Sequence, residues 1–124
     1  MNEIQIFQNQ EFGAIRTMKN EQGEAMFCGK DVAEALGYNN PLKAIRNHVD
    51  SEDKGVNELG TPGGKQKIIF INESGLYALI LSSKLDSAKR FKRWVTGEVL
   101  PAIRMQGGYM VAKQDETEQE IMQR

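Results

Sequence analysis

The chain has 124 residues, with 16 Lys+Arg against 17 Asp+Glu and a formal net charge of −1. That length suits one domain with a modest single core, and 40% hydrophobic with 27% charged residues are ordinary proportions for a soluble globular fold. No apolar run reaches the length of a membrane span, MNEIQIFQNQEF lacks the basic start and apolar block of a signal peptide, and the single Cys28 cannot form an internal disulfide. No membrane partner and a cytoplasmic, reducing location are therefore expected.

Three short strand-like runs come first. Ile4–Phe7 alternates weakly, and Ala14–Met18 and Ala25–Cys28 flank NEQGE, whose Gly23 suits a turn. They predict a small antiparallel meander. Cys28 closes the apolar segment AMFC and reads as a small buried residue rather than a nucleophile.

The stretch Gly29–Val49, GKDVAEALGYNNPLKAIRNHV, follows. Val32, Ala33 and Leu36 share one face of a first short helix, and Gly37 suits the left-handed residue just past its end. Asn40 can cap a second helix that begins at Pro41. Leu42, Ile45 and Val49 form its expected apolar stripe at spacings of three and four. Lys43, Arg46 and Asn47 fall on the opposite face. Two short helices with a Gly-containing link make a helix-turn-helix candidate. Arg and Asn carry forked donors and acceptors that match guanine and adenine edges in the major groove. The competing reading is a helical hairpin with a solvated basic face. His48 ends the second helix, where packing or capping competes with a phosphate contact.

An acidic loop, Asp50–Lys54, comes next. Val56–Leu59 and Lys65–Ile71 then flank GTPGG, a hairpin signal. The second arm, KQKIIFI, must enter the core. Its polar start puts Lys65 and Lys67 on one face near the tip, because strand side chains repeat every two residues. After a helix-turn-helix such a hairpin resembles a wing that leans on the DNA backbone; the alternative is an exposed hairpin with solubilising lysines.

Asn72 is a candidate cap for a helix over Glu73–Ser82. GLYALIL is apolar almost all round, which places this helix at the centre of the core, with Tyr77 packing. The last long helix is expected from about Asp86 to Met105. Ala88, Phe91, Trp94, Val95, Val99 and Ala102 lie within one apolar arc, and Lys89, Arg90, Lys92 and Arg93 within the opposite one. Pro101 cannot donate to Gly97 and crowds its carbonyl, so a kink is expected there. Glu98 falls inside the apolar arc, where Arg104 or a partner subunit are candidate partners. Gly107-Gly108 ends the helix. Residues 111–124 read as a polar acidic tail or linker toward an absent C-terminal domain, which leaves 1–110 as the folded unit.

Charge is unevenly distributed. Residues 84–104 hold six bases and two acids, whereas 50–58 hold four acids and one base. A local patch of this kind can bind phosphate without a high overall pI. Catalytic patterns are missing. A single His excludes a His pair or a Cys/His metal set, and neither GxxxxGK[ST] nor GxGxxG occurs. No enzyme, cofactor or metal is expected.

The ordered blocks DVAEALGY, NNP..AIRNHV, IIFINESGLYALILSSK and AKRFKRWVTGEVLPAIRMQGGY resemble the Bro-N domain. This is the N-terminal domain of phage antirepressors and of baculovirus repeated-ORF proteins. The likeness covers about residues 3 to 110 and is nearest to prophage antirepressors. It implies a DNA-binding module, usually followed by a separate C-terminal domain, that regulates transcription inside a bacterial host cell by countering a phage repressor.

The combined expectation is an α+β domain, with small antiparallel strands and a hairpin packed with about four helices. Double-stranded DNA is the expected partner. The helical faces nominate Lys43, Arg46, Asn47, His48, Lys65, Lys67, Lys89, Arg90, Lys92 and Arg93 as its contacts. A phage repressor and a second copy of the chain are further candidate partners. The rival reading is a protein-interaction module that binds the repressor directly and never touches DNA.

Overall fold

Residues 4–105 are described by the structure, a computed structural model, so the Gly107-Gly108 stop and the tail at 111–124 lie outside the described residues. The three opening runs are strands β1 (Gln5–Asn9), β2 (Gly13–Lys19) and β3 (Ala25–Cys28), paired as the expected antiparallel meander. Asn9 shapes the first turn: its Oδ1 accepts from the N–H groups of Glu11 and Phe12 at 2.7 and 3.1 Å. Thr17 is a fully buried polar residue, and its hydroxyl donates to the Gln5 carbonyl at 2.9 Å.

From β3 the chain enters α1 (Gly29–Ala35), then a short link to α2 (Pro41–His48). The link is a Schellman motif. Gly37 takes a positive φ of 83°, Tyr38 N–H donates to the Ala33 carbonyl at 3.0 Å, and Gly37 N–H donates to the Glu34 carbonyl at 3.1 Å. Asn40 caps α2 through an acceptor bond from Lys43 N–H at 3.2 Å. The apolar stripe of α2 differs from expectation. Ala44, Ile45 and Val49 are buried, while Leu42 is 55% exposed. The stripe is chosen by what lies beneath: Ile45 sits close over Gly29, which also faces Ile71, and Ile45 and Ile71 belong to the same core cluster.

A 3-10 turn (Ser51–Asp53) replaces most of the expected acidic loop and leads into β4 (Lys54–Thr61) and β5 (Gly64–Ile71). Both arms are longer than the apolar pattern suggests, because pairing continues from Lys54↔Ile71 out to Thr61↔Gly64. The hairpin joins the meander in one five-stranded sheet of order β1-β2-β3-β5-β4. β3 meets β5 only at Phe27↔Ile71 and Cys28↔Phe70. The base of the hairpin therefore completes the sheet, and its outer half, exposed from Pro62 to Lys67, projects beyond it.

α3 (Glu73–Ser82) starts where expected, with Asn72 Oδ1 accepting from Gly75 N–H at 2.9 Å. Leu76, Leu79 and Ile80 are buried, but Leu81 is 81% exposed, so the helix is apolar all round without being covered all round. The last helix is interrupted. α4 (Ser87–Trp94) passes through a π-helical turn (Val95–Val99) into α5 (Leu100–Met105). Pro101 has no N–H for the Gly97 carbonyl and crowds it, and the wider turn relieves the clash. The extra residue rotates everything beyond by about 100°. Leu100 and Ile103 therefore reach the core, Ala102 is only half-buried, and Glu98 leaves the apolar arc for solvent. Arg104 pairs with Glu73 at 2.9 Å rather than with Glu98.

The helices cover one face of the sheet. Ile15, Phe27 and Ile71 meet Val32, Leu36, Ile45, Leu76, Leu79 and Phe91 there. The other face carries a smaller cluster of Met18, Cys28 and Phe70. Between α1 and the sheet lies a charged latch. Asp31 accepts from Arg16 N–H at 3.0 Å, Nε at 2.9 Å and Nη2 at 3.0 Å, taking over where β3 stops pairing with β2. Burial pushes the Asp31 carboxyl up, but the Arg16 hydrogen bonds outweigh it and hold the group below its ordinary range.

Two stability outcomes follow from these contacts. Asp31→Asn should cost about 2 kcal/mol, since charge-assisted bonds are lost and a donor is turned toward Arg16. A depressed carboxyl stabilises the fold above its unfolded value of about 3.9 and loses that contribution as pH falls further. Urea unfolding should therefore show the Asp31→Asn penalty in full at pH 7 and a reduced one near pH 3. Gly29→Ala should cost about 1–3 kcal/mol by overpacking. Its Cβ would stand 2.7 Å from Ile45 Cδ1, and the same urea titration measures the loss.

Candidate nucleic-acid interface

α2 is held at both ends and along its inner side. Its cap is Asn40, and the preceding Tyr38 donates its hydroxyl to the Leu79 carbonyl of α3 at 2.7 Å. At the far end Val49 lies against Gly75, and Asn72 binds Asp53 through both its backbone N–H (3.0 Å) and its side chain (3.1 Å). Ile45 and Ala44 fill the inner side. Lys43, Arg46 and Asn47 consequently face solvent. Among the described residues their side chains make no hydrogen bond or ion pair. His48 is exposed but stands apart from that trio. At 100° per residue it lies about 100° beyond Asn47 and 200° from Arg46, and its ring sits 5.7 Å from Tyr38.

The hairpin brings Lys65 and Lys67 to the same side of the sheet as the helices. Alternation sets this: Ile69 and Ile71 of that phase pack with the helical core, and Ile68 and Phe70 of the other phase pack on the opposite face. Both lysines are exposed, and Glu58 is the cross-strand partner of Lys67. α2 reaches β4 through the single 3-10 turn, so α2 and the hairpin share one flank of the domain.

The basic arc of α4 belongs to the other flank. Phe12, in the β1–β2 turn, packs edge-on against Phe91 at 5.1 Å and stacks on Trp94 at 6.1 Å. This anchors α4 beside the β1–β2 edge, opposite the β4–β5 edge. Lys89, Lys92 and Arg93 are exposed there without a partner among the described residues. Arg90 is engaged. Its guanidinium grips Glu11 at 2.6 and 3.0 Å, and that hydrogen bond lowers the Glu11 carboxyl and raises Arg90. The ten nominated residues thus separate into an α2–hairpin group and an α4 group. Sequence reading could not find Glu11, which lies 79 positions from Arg90.

Elsewhere the described residues form a cleft of about 380 Å³ between the β2–β3 turn, the start of α3 and α5. Its polar groups hold one another: Asn72 caps Gly75, and Glu73 pairs with Arg104 and accepts the Tyr77 hydroxyl at 3.3 Å. Burial, with Glu73 alongside, pushes the Tyr77 hydroxyl up. No group of three or more His, Cys, Asp or Glu side chains among the described residues converges for a metal. No helix among them is long and apolar enough to cross a membrane.

Residues 14–101 match the family model for the BRO family, N-terminal domain. A Haemophilus influenzae protein is 41% identical over 102 residues, covering 81% of this chain and 50% of its own length. A Bro-N domain-containing protein of Invertebrate iridescent virus 6 is 38% identical over 106 residues, covering 71% of this chain and 25% of its own. A Bro-N domain-containing protein of Acanthamoeba polyphaga mimivirus is 32% identical over 120 residues, covering 87% and 49%. This chain therefore spans half or less of these relatives. No solved structure matches it. The chain belongs to the Bro-N family.

Proposed function

We propose that this Bro-N domain is a non-catalytic DNA-binding module of a phage antirepressor-type transcriptional regulator. The supporting observation is the outer face of α2. Lys43, Arg46 and Asn47 stand side by side, exposed and unspent, on a helix fixed to the core at both ends. Donors held rigidly by a scaffold keep their geometry when a ligand arrives, which suits base reading. In this reading α2 enters the major groove of double-stranded DNA. Lys65 and Lys67 contact phosphates from the projecting hairpin, and Lys89, Lys92 and Arg93 add phosphate contacts from α4. His48 contributes a phosphate contact at the margin, because Tyr38 occupies one side of its ring. A second reading is direct binding to a phage repressor without DNA. One observation favours it: Leu81 and Leu85 are 81% and 49% exposed, at the end of α3 and in the link after it.

A salt titration against random duplex DNA separates the two readings. Phosphate-driven binding weakens steeply with salt, in proportion to the charges neutralised; absence of binding even at low salt favours the repressor. On a selected site, Arg46→Ala should cost about 1–3 kcal/mol and relax preference at one base pair. An equal loss on all sequences would make Arg46 a phosphate contact. Lys89→Glu with Arg93→Glu should weaken all sequences alike and reduce the salt slope by about two charges or more. Affinity and slope both unchanged would remove α4 from the interface.

A further inference from the structure

Leu42 is an apolar residue at the margin of the polar side of α2. It is 55% exposed, and the buried side of the helix is supplied by Ala44, Ile45 and Val49 without it. At 100° per residue it stands about 40° from Arg46 and about 100° from Lys43. It also lies in the first turn, directly after Pro41, and the N-terminal residues of a recognition helix are the ones that approach base edges. Water gains nothing from a leucine held there, and the core does not use it.

The major groove offers one apolar feature on its base edges, the C5-methyl group of thymine. We infer that Leu42 is a specificity-determining residue that seats against a thymine methyl next to the base read by Arg46. The inference rests on the DNA-binding reading above and goes beyond it by naming a base. The outer face of α2 then carries three complementary chemistries. Arg46 offers a fork for guanine O6 and N7, Asn47 a donor and acceptor for adenine, and Leu42 an apolar surface for thymine. The charged α4 arc contains no such mixture.

The experiment selects preferred duplexes with the whole chain and then replaces each dT of the selected site by dU, which removes the methyl group alone. The wild-type chain should lose about four-fold in affinity at one position, the partition of one methyl group from water. Leu42→Ala should show little loss at that position and a relaxed preference there. If no dU position weakens the wild type, the inference is overturned, and it is overturned equally if the methyl dependence survives in Leu42→Ala. Either result leaves DNA binding itself standing. Failure to bind any duplex at low salt sinks both readings together. The dU scan on the wild type does not depend on the variant folding.

Discussion

What α2 presents to solvent depends on one close approach, Ile45 over Gly29 and Ile71. A Cβ on Gly29 would stand 2.7 Å from Ile45 Cδ1 and 3.4 Å from Ile71 Cγ2. At this point the end of β3, the start of α1, the middle of α2 and the end of β5 converge. A single residue of rotation in α2 turns its faces by about 100° and would bring Arg46 to where Ile45 now sits. Burying an unpaired guanidinium is far costlier than burying an isoleucine. The packing of one apolar side chain therefore decides which polar ones face outward. Val49 against Gly75, where an added Cβ would stand 3.0 Å from Val49 Cγ1, secures the same rotation one turn later.

Local chemistry was readable from the sequence, and long-range partnership was not. Asn40 and Asn72 were expected as caps, and both accept a backbone N–H three residues on. Gly37 adopts the left-handed conformation that its place in the link required. These signals are contained within a few neighbouring residues. Leu42 misled because the expected stripe 42, 45, 49 and the buried set 44, 45, 49 share two of their three residues, and only the surface beneath decides the third. Pro101 announced a disturbance, but the shift of register that brought Ile103 inward and turned Glu98 out is settled by packing after the bend. The insertion of β5 beside β3, and the pairs Arg16–Asp31, Glu11–Arg90 and Glu73–Arg104, have no local signature at all.

Those three ion pairs leave most of the 16 Lys and Arg residues of the chain outside them. Each pair consumes one charge of either sign. Asp31 is tied to the sheet, Glu11 closes on α4, and Glu73 is held at the start of α3 by Arg104. The lysines and arginines of the outer α2 face and of the hairpin are left outside these pairs. Exposed pairs such as Glu11–Arg90 add little to stability, because both groups remain solvated. Their effect is on the field. Pairing Glu11 with Arg90 removes one cation from a crowded arc in which Lys89, Lys92 and Arg93 repel at spacings of three and four.

The two exposed basic groups differ in kind, and the difference bears on how a binding module of this design would work. Lysines are hydrated point charges that attract any phosphate, whereas Arg and Asn forks, fixed in direction, discriminate between bases. The α4 arc is charge alone, set on a helix anchored through Phe12, Phe91 and Trp94 to the β1–β2 edge. The α2 face mixes charge, amide and apolar surface, and it is seated on the core at the other flank. Under the DNA reading, attraction by α4 and reading by α2 are carried by different elements, joined through α1, α3 and the sheet. Changes on α4 then alter how strongly the domain is drawn to any duplex, without moving the side chains that select a sequence. Changes beneath α2, at Gly29 or Ile45, alter selection even though neither residue can touch DNA.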